Sequence, residues 1–105
     1  MATAQFDIVT SGPRWAPVLE VRGELDIATA PELTRAVRAV FDEGTPRLII
    51  DLTNCTFIDS SGMSKLVQAH LTGKALGTKI TIRGAIGNAR RALEVCGLIT
   101  LLEQQ

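Results

Sequence analysis

Apolar and polar positions alternate with period two along Gln5-Phe6-Asp7-Ile8-Val9-Thr10 and again along Val18 to Leu25, with Ser11-Gly12-Pro13 as turn chemistry between them. Two neighbouring antiparallel strands are expected, with Trp15 in their connection, either covering an edge or exposed. The period then lengthens. Leu33, Val37, Val40 and Phe41 recur at i, i+4, i+7 and i+8, and Thr29 and Glu32 have capping-box spacing with Pro31 in the first turn, so a helix starts near Thr29 and stops at Glu43-Gly44-Thr45-Pro46. Leu48 to Leu52 is apolar on both faces except at Asp51, the pattern of a central strand. Met63, Leu66, Val67, His70 and Leu71 predict a second helix packed through that stripe, with Lys65, Gln68 and Lys74 off it and Gly73 and Gly77 bounding its end. Lys79 to Arg83 alternates again, Ala89, Ala92, Leu93 and Cys96 mark a third helix stopped by Gly97, and residues 98–102 fit either a short strand or a helical turn.

Strand, strand, helix, strand, helix, strand, helix is an α/β order. Right-handed crossovers between parallel neighbours then give an α/β sandwich, a mixed sheet of four to five strands with helices packed against it. A length of 105 residues fits one domain over 1–105, and 46% hydrophobic residues supply a core without metals or disulfides.

Charge and composition remove several functions. Eleven basic and eleven acidic residues cancel, which argues against general affinity for nucleic acid or an anionic membrane. The balance hides an asymmetry: residues 1–59 carry five basic and nine acidic side chains, residues 60–105 six and two. No apolar run approaches the roughly 20 residues of a membrane span, and no leader pattern opens the chain, so a cytoplasmic protein is expected. Cys55 and Cys96 lack metal-ligand spacing and His70 is the single histidine, so reduced thiols, a helix-face histidine and no metal or cofactor are expected.

The chemistry concentrates at Ile58-Asp59-Ser60-Ser61-Gly62-Met63, between the strand ending at Leu52 and the second helix. The first N–H groups of a helix are unpaired and carry partial positive charge, so an anion attached to a serine there is held. Those are the conditions for a phosphorylation switch; the ordinary reading of such a Ser-Ser-Gly is that Ser60 or Ser61 simply caps the helix. Asp26, closing the second strand, and Asp59 are expected on the same sheet edge as the serines, where ordinary preference makes Asp26 a loop acceptor and Asp59 an N-cap. A serine hydrolase is excluded by pattern, because neither serine has the flanking glycines of a nucleophile elbow, and no glycine-rich phosphate loop is present, so no catalytic residue is assigned.

Gly23-Glu24-Leu25-Asp26-Ile27-Ala28-Thr29-Ala30-Pro31, then Asp59-Ser60-Ser61-Gly62, then the helix from Gly87 to Leu98, resemble the STAS domains of bacterial anti-sigma factor antagonists over nearly the whole chain. The resemblance implies an antagonist that binds an anti-sigma factor of the serine-kinase type and releases the sigma factor. It implies phosphorylation of Ser60, reversed by a phosphatase, and partner contacts from Asp26, Asp59, Ser61, Gly62, Met63 and Ser64. Met63 stands where the family usually has leucine or isoleucine, and Ser64 where it has glycine or alanine, which adds a third hydroxyl to the first helical turn. Other single-domain relatives are small subunits of lipid-trafficking transporters or scaffolds of sensory complexes, which bind permanently and need no serine chemistry.

Overall fold

The computed structural model describes residues 5–97. The two alternating segments form β1 (Asp7–Ser11) and β2 (Val18–Leu25), antiparallel with Ile8 opposite Val21 and Val9 opposite Glu20. Trp15, in the turn between them, is exposed. The apolar run forms β3 (Arg47–Asp51), parallel to the first half of β2 and to β5 (Lys79–Arg83) on its other side. A fifth strand, β4 (Cys55–Ile58), pairs in parallel with the second half of β2, where the register shifts between Gly23 and Glu24. Gly23 takes φ +101°, and a Cβ there would collide with the carbonyl oxygen of Gln5, so a side chain is disfavoured twice over.

Three helices pack on this mixed sheet: α1 (Ala30–Asp42), α2 (Ser60–Leu76) and α3 (Gly87–Val95). The helices and the inward alternation of the strands close one core through Leu19, Val21, Leu25, Leu33, Leu48, Ile50, Leu66, Ile82 and Leu93, each at most 1% exposed. At about 2 kcal/mol for each such side chain, these positions dominate the favourable side of folding.

Four expectations need correction. The serine motif follows β4, not β3; Cys55-Thr56-Phe57-Ile58 is buried at its ends and exposed in its middle, so it lacks the alternation that marks a strand. Thr29 occupies the N-cap position of α1 without any side-chain capping bond, because its hydroxyl donates to the carbonyl of Glu24 at 2.7 Å. The buried line of α2 is Gly62, Met63, Leu66, Ala69 and Gly73, leaving Leu71 58% exposed; Gly77, at φ +84°, is the C-cap, whereas Gly73 lies inside the helix. Cys96 is exposed rather than part of α3's core face, while Cys55 is buried and burial pushes its thiol pKa up; neither is in a disulfide. The element expected over 98–102 lies outside the described residues.

Candidate functional site

The junction between β4 and α2 is built on β2. Leu25 and Ile58 are register partners on parallel strands, so the residues that follow them, Asp26 and Asp59, leave the same edge side by side, and the N–H of Asp59 donates to the carbonyl of Leu25 at 3.2 Å. Both carboxylates are already committed to the backbone. Asp26 Oδ1 accepts from the N–H groups of Ala28 and Thr29 at 2.9 and 3.1 Å, locking the loop into α1. Asp59 adopts extended backbone as N-cap of α2, its Oδ1 accepting from the N–H of Gly62 at 2.9 Å. The acids therefore shape the site first.

Those bonds decide which helix donors remain. The N–H of Asp59 is taken by Leu25, that of Gly62 by the Asp59 side chain, and that of Met63 by the Asp59 carbonyl at 2.9 Å. The N–H groups of Ser60 and Ser61, the first two helical residues, have no acceptor among the described residues. They lie at the positive end of the α2 dipole, where the Asp59 carboxylate already caps the N–H of Gly62.

Of the expected site residues, Ser60 and Ser64 are exposed and Ser61 is half-buried. Gly62 and Met63 face inward. A Cβ on Gly62 would lie 2.5 Å from the Leu25 carbonyl oxygen and 2.8 Å from its Cγ, so glycine is required for α2 to approach β2 at all, and Met63 is 5% exposed in the core. Both position the serines rather than offering surface of their own. Ser60, Ser61, Ser64 and Lys65 form one wall of a groove of about 450 Å³, and Ile27, Ala30 and Pro31, from the entry to α1, form the other.

Three contributors escape a reading of the sequence. Thr29 closes the Asp26 turn by a bond no capping motif predicts. Ile27, 76% exposed on the groove wall, is an apolar side chain held in water by the turn that Asp26 fixes. Lys65, whose ammonium donates to Gln68 at 3.3 Å, brings a positive charge to the serine wall; its i+4 relation to Ser61 was the available signal.

The arrangement can hold an anion and present hydroxyls. The single histidine, His70, lies ten residues along α2 from Ser60, about 15 Å of helix rise. No metal-binding group of His, Cys, Asp and Glu occurs among the described residues, and no helix there is long and apolar enough to cross a membrane.

Residues 8–103 match the family model described as "Mlab, STAS domain". The chain is 32% identical over 84 residues to an anti-sigma-B factor antagonist of Staphylococcus aureus, covering 80% of this chain and 78% of that protein. The crystal structure of an anti-sigma factor antagonist from Mycobacterium paratuberculosis superposes with a TM-score of 0.80 at 30% identity, over 99% of this chain and 90% of the other. The Bacillus cell fate determinant SpoIIAA in its phosphorylated form shares the fold, with a TM-score of 0.76 at 18% identity over 96% and 91% of the two chains. With its α/β order, its Asp59-Ser60-Ser61-Gly62 junction and a family match spanning most of its length, the chain belongs to the STAS domain family.

Proposed function

We propose that this protein is an anti-sigma factor antagonist, a non-enzymatic cytoplasmic domain that binds an anti-sigma factor of the serine-kinase type and is switched off by phosphorylation of Ser60. The observation that carries the reading is the exposed Ser60 at the first position of α2, beside two helix N–H groups without acceptors. The names of its relatives support the general role. Ser60 is preferred over its neighbours because Ser61 is half-buried and Ser64 lies a full turn further from the helix end.

Phosphate would add a charge near −2 and three acceptor oxygens. The end of α2 would favour that charge by about 0.3–1 kcal/mol, offsetting repulsion from Asp26 and Asp59, so the fold tolerates it. A partner surface fitted over a neutral hydroxyl and the apolar Ile27 would instead have to desolvate a dianion, and every ~1.4 kcal/mol lost there weakens binding tenfold. Phosphorylation thus switches an interface and not the fold, and a phosphatase restores binding.

The test begins with isolation of the partner from the host and mass spectrometry of the serine sites, followed by calorimetric titration of that partner with three forms of the protein. Ser60→Ala is expected to bind like the wild type, and Ser60→Asp at least tenfold more weakly with an unchanged melting midpoint. Phosphate on Ser61 or Ser64 would overturn the assignment of Ser60. Equal affinity of all three forms would move the reading to a permanent transporter or sensory subunit.

A further inference from the structure

The serine groove is one end of a longer surface. A helix covering a sheet normally turns polar residues outward, and α1 does so, exposing Glu32, Arg35, Arg38 and Asp42 around its buried Leu33, Val37 and Val40. The outer face of α2 is different. Opposite its buried line run the exposed Ser60, Ser64, Leu71 and Ala75, at intervals of four, seven and four residues, while Val67 between them is half-buried and packs against the core. Such spacing keeps side chains on one side of a helix and is what a second helix packs against. This line covers fifteen residue steps, about 22 Å.

Charge narrows the occupant. α2 carries Lys65 and Lys74 and no acidic residue anywhere in its length. A second copy of α2 laid antiparallel on the first would set lysine against lysine, which is unfavourable. We propose that α2 docks lengthwise against an acidic helix of the partner that Ser60 controls, with Ser60 and Ser64 at one end of the contact, Leu71 and Ala75 at the other, and partner Asp or Glu side chains beside Lys65 and Lys74. The proposal rests on the switch reading above and adds to it the chemistry of the partner: an apolar stripe flanked by carboxylates. A phosphate at one end of a contact this long opposes the same carboxylates that the lysines attract, so the partner's acidity sharpens the switch.

The experiment uses the full chain in its host with a benzoylphenylalanine photocrosslinker placed singly at Ser64, Leu71 and Ala75, and at Trp15 as a control outside α2. The expected result is that Ser64, Leu71 and Ala75 capture the same protein, through a peptide rich in Asp and Glu, and that Trp15 does not. Against that protein, purified, Leu71→Asp and Lys74→Glu are each expected to weaken binding at least tenfold with unchanged melting midpoints. Silence at Leu71 and Ala75 overturns the proposal whether or not Ser64 reacts. So does capture of another copy of this chain, or sedimentation with phosphatidylglycerol vesicles that Lys74→Glu abolishes. The two readings fail separately: weakening by Leu71→Asp but not by Ser60→Asp would leave the docking face and remove the switch, and the converse would leave the switch and remove the docking face.

Discussion

Helices α1 and α2 lie side by side on one sheet, yet they are stabilised in different ways. α1 anchors through large side chains, Leu33 at 0% exposure, Val37 and Val40, and hands a charged face to water. α2 anchors largely through what it lacks: Gly62, Ala69 and Gly73 bring its backbone close to the sheet, and its apolar bulk is partly outside, at Leu71 and Leu76. The beginnings differ as well, α2 being capped by the Asp59 side chain while the cap position of α1 makes no side-chain bond. The two helices thus differ in which face holds the large residues.

Truncation tests the contrast most strongly. Leu33→Ala in α1 is expected to cost about 3 kcal/mol, and Leu71→Ala in α2 less than about 0.5 kcal/mol, measured by urea unfolding; comparable losses would mean that the outer face of α2 is as structural as the core face of α1. The next contrast inverts helix propensity. Gly73→Ala should gain about 1 kcal/mol on propensity alone, but its Cβ would lie 2.6 Å from the Thr78 carbonyl oxygen, so a net loss of about 2 kcal/mol is expected. Ala39→Gly on the exposed side of α1 should cost about 1 kcal/mol by the ordinary rule. Removing the cap with Asp59→Ala should destabilise by about 1 kcal/mol and lower helicity at the start of α2, seen in amide chemical shifts. The smallest contrast concerns the threonines that follow the helices. Thr78 Oγ1 donates to the buried carbonyl of Thr45 at 2.7 Å, whereas Thr45 Oγ1 is buried without a partner. Thr78→Val should lose about 1 kcal/mol and Thr45→Val should be neutral or gain slightly, an opposite sign readable as a shift in melting midpoint.

Long alternations and wide helical periods were legible because each element announces itself locally: β1, β2, β5 and the body of α1 sit where their patterns put them. β4 was not, since four residues buried only at the ends carry no period and exist as a strand only because the second half of β2 needs a partner. The core face of α2 was misread for a related reason. Glycine and alanine give almost no hydrophobic signal, yet Gly62, Ala69 and Gly73 are what the sheet requires of that helix, and the turn toward them carries Leu71 outward. At the site, Asp59-Ser60-Ser61-Gly62 marked the junction, but the motif's glycine is explained by the Leu25 carbonyl and its aspartate by a cap, neither visible without coordinates. Lys65 and Ile27 needed the fold to bring α1's entry opposite α2.

The divided pairing of β2 has a consequence for motion. β1 lies along Val18–Arg22 of β2, while on the other side β3 takes Val18–Glu20 and β4 takes Gly23–Leu25, so β2 is bridged on both flanks over Val18–Glu20 and by a single neighbour at its end. Amides bridged in this way exchange with solvent only when the whole domain opens, and those of a single-neighbour strand such as β4 can exchange by local fraying. Since Asp26 continues from the end of β2 and Asp59 is bonded to Leu25, the serine groove is fastened to the singly paired end of the strand, beyond its doubly bridged start. Loosening at the groove on gain or loss of a charged group can therefore stay local, and deuterium uptake at Leu19 and Glu20, in the doubly bridged start of β2, should be the same before and after modification of Ser60.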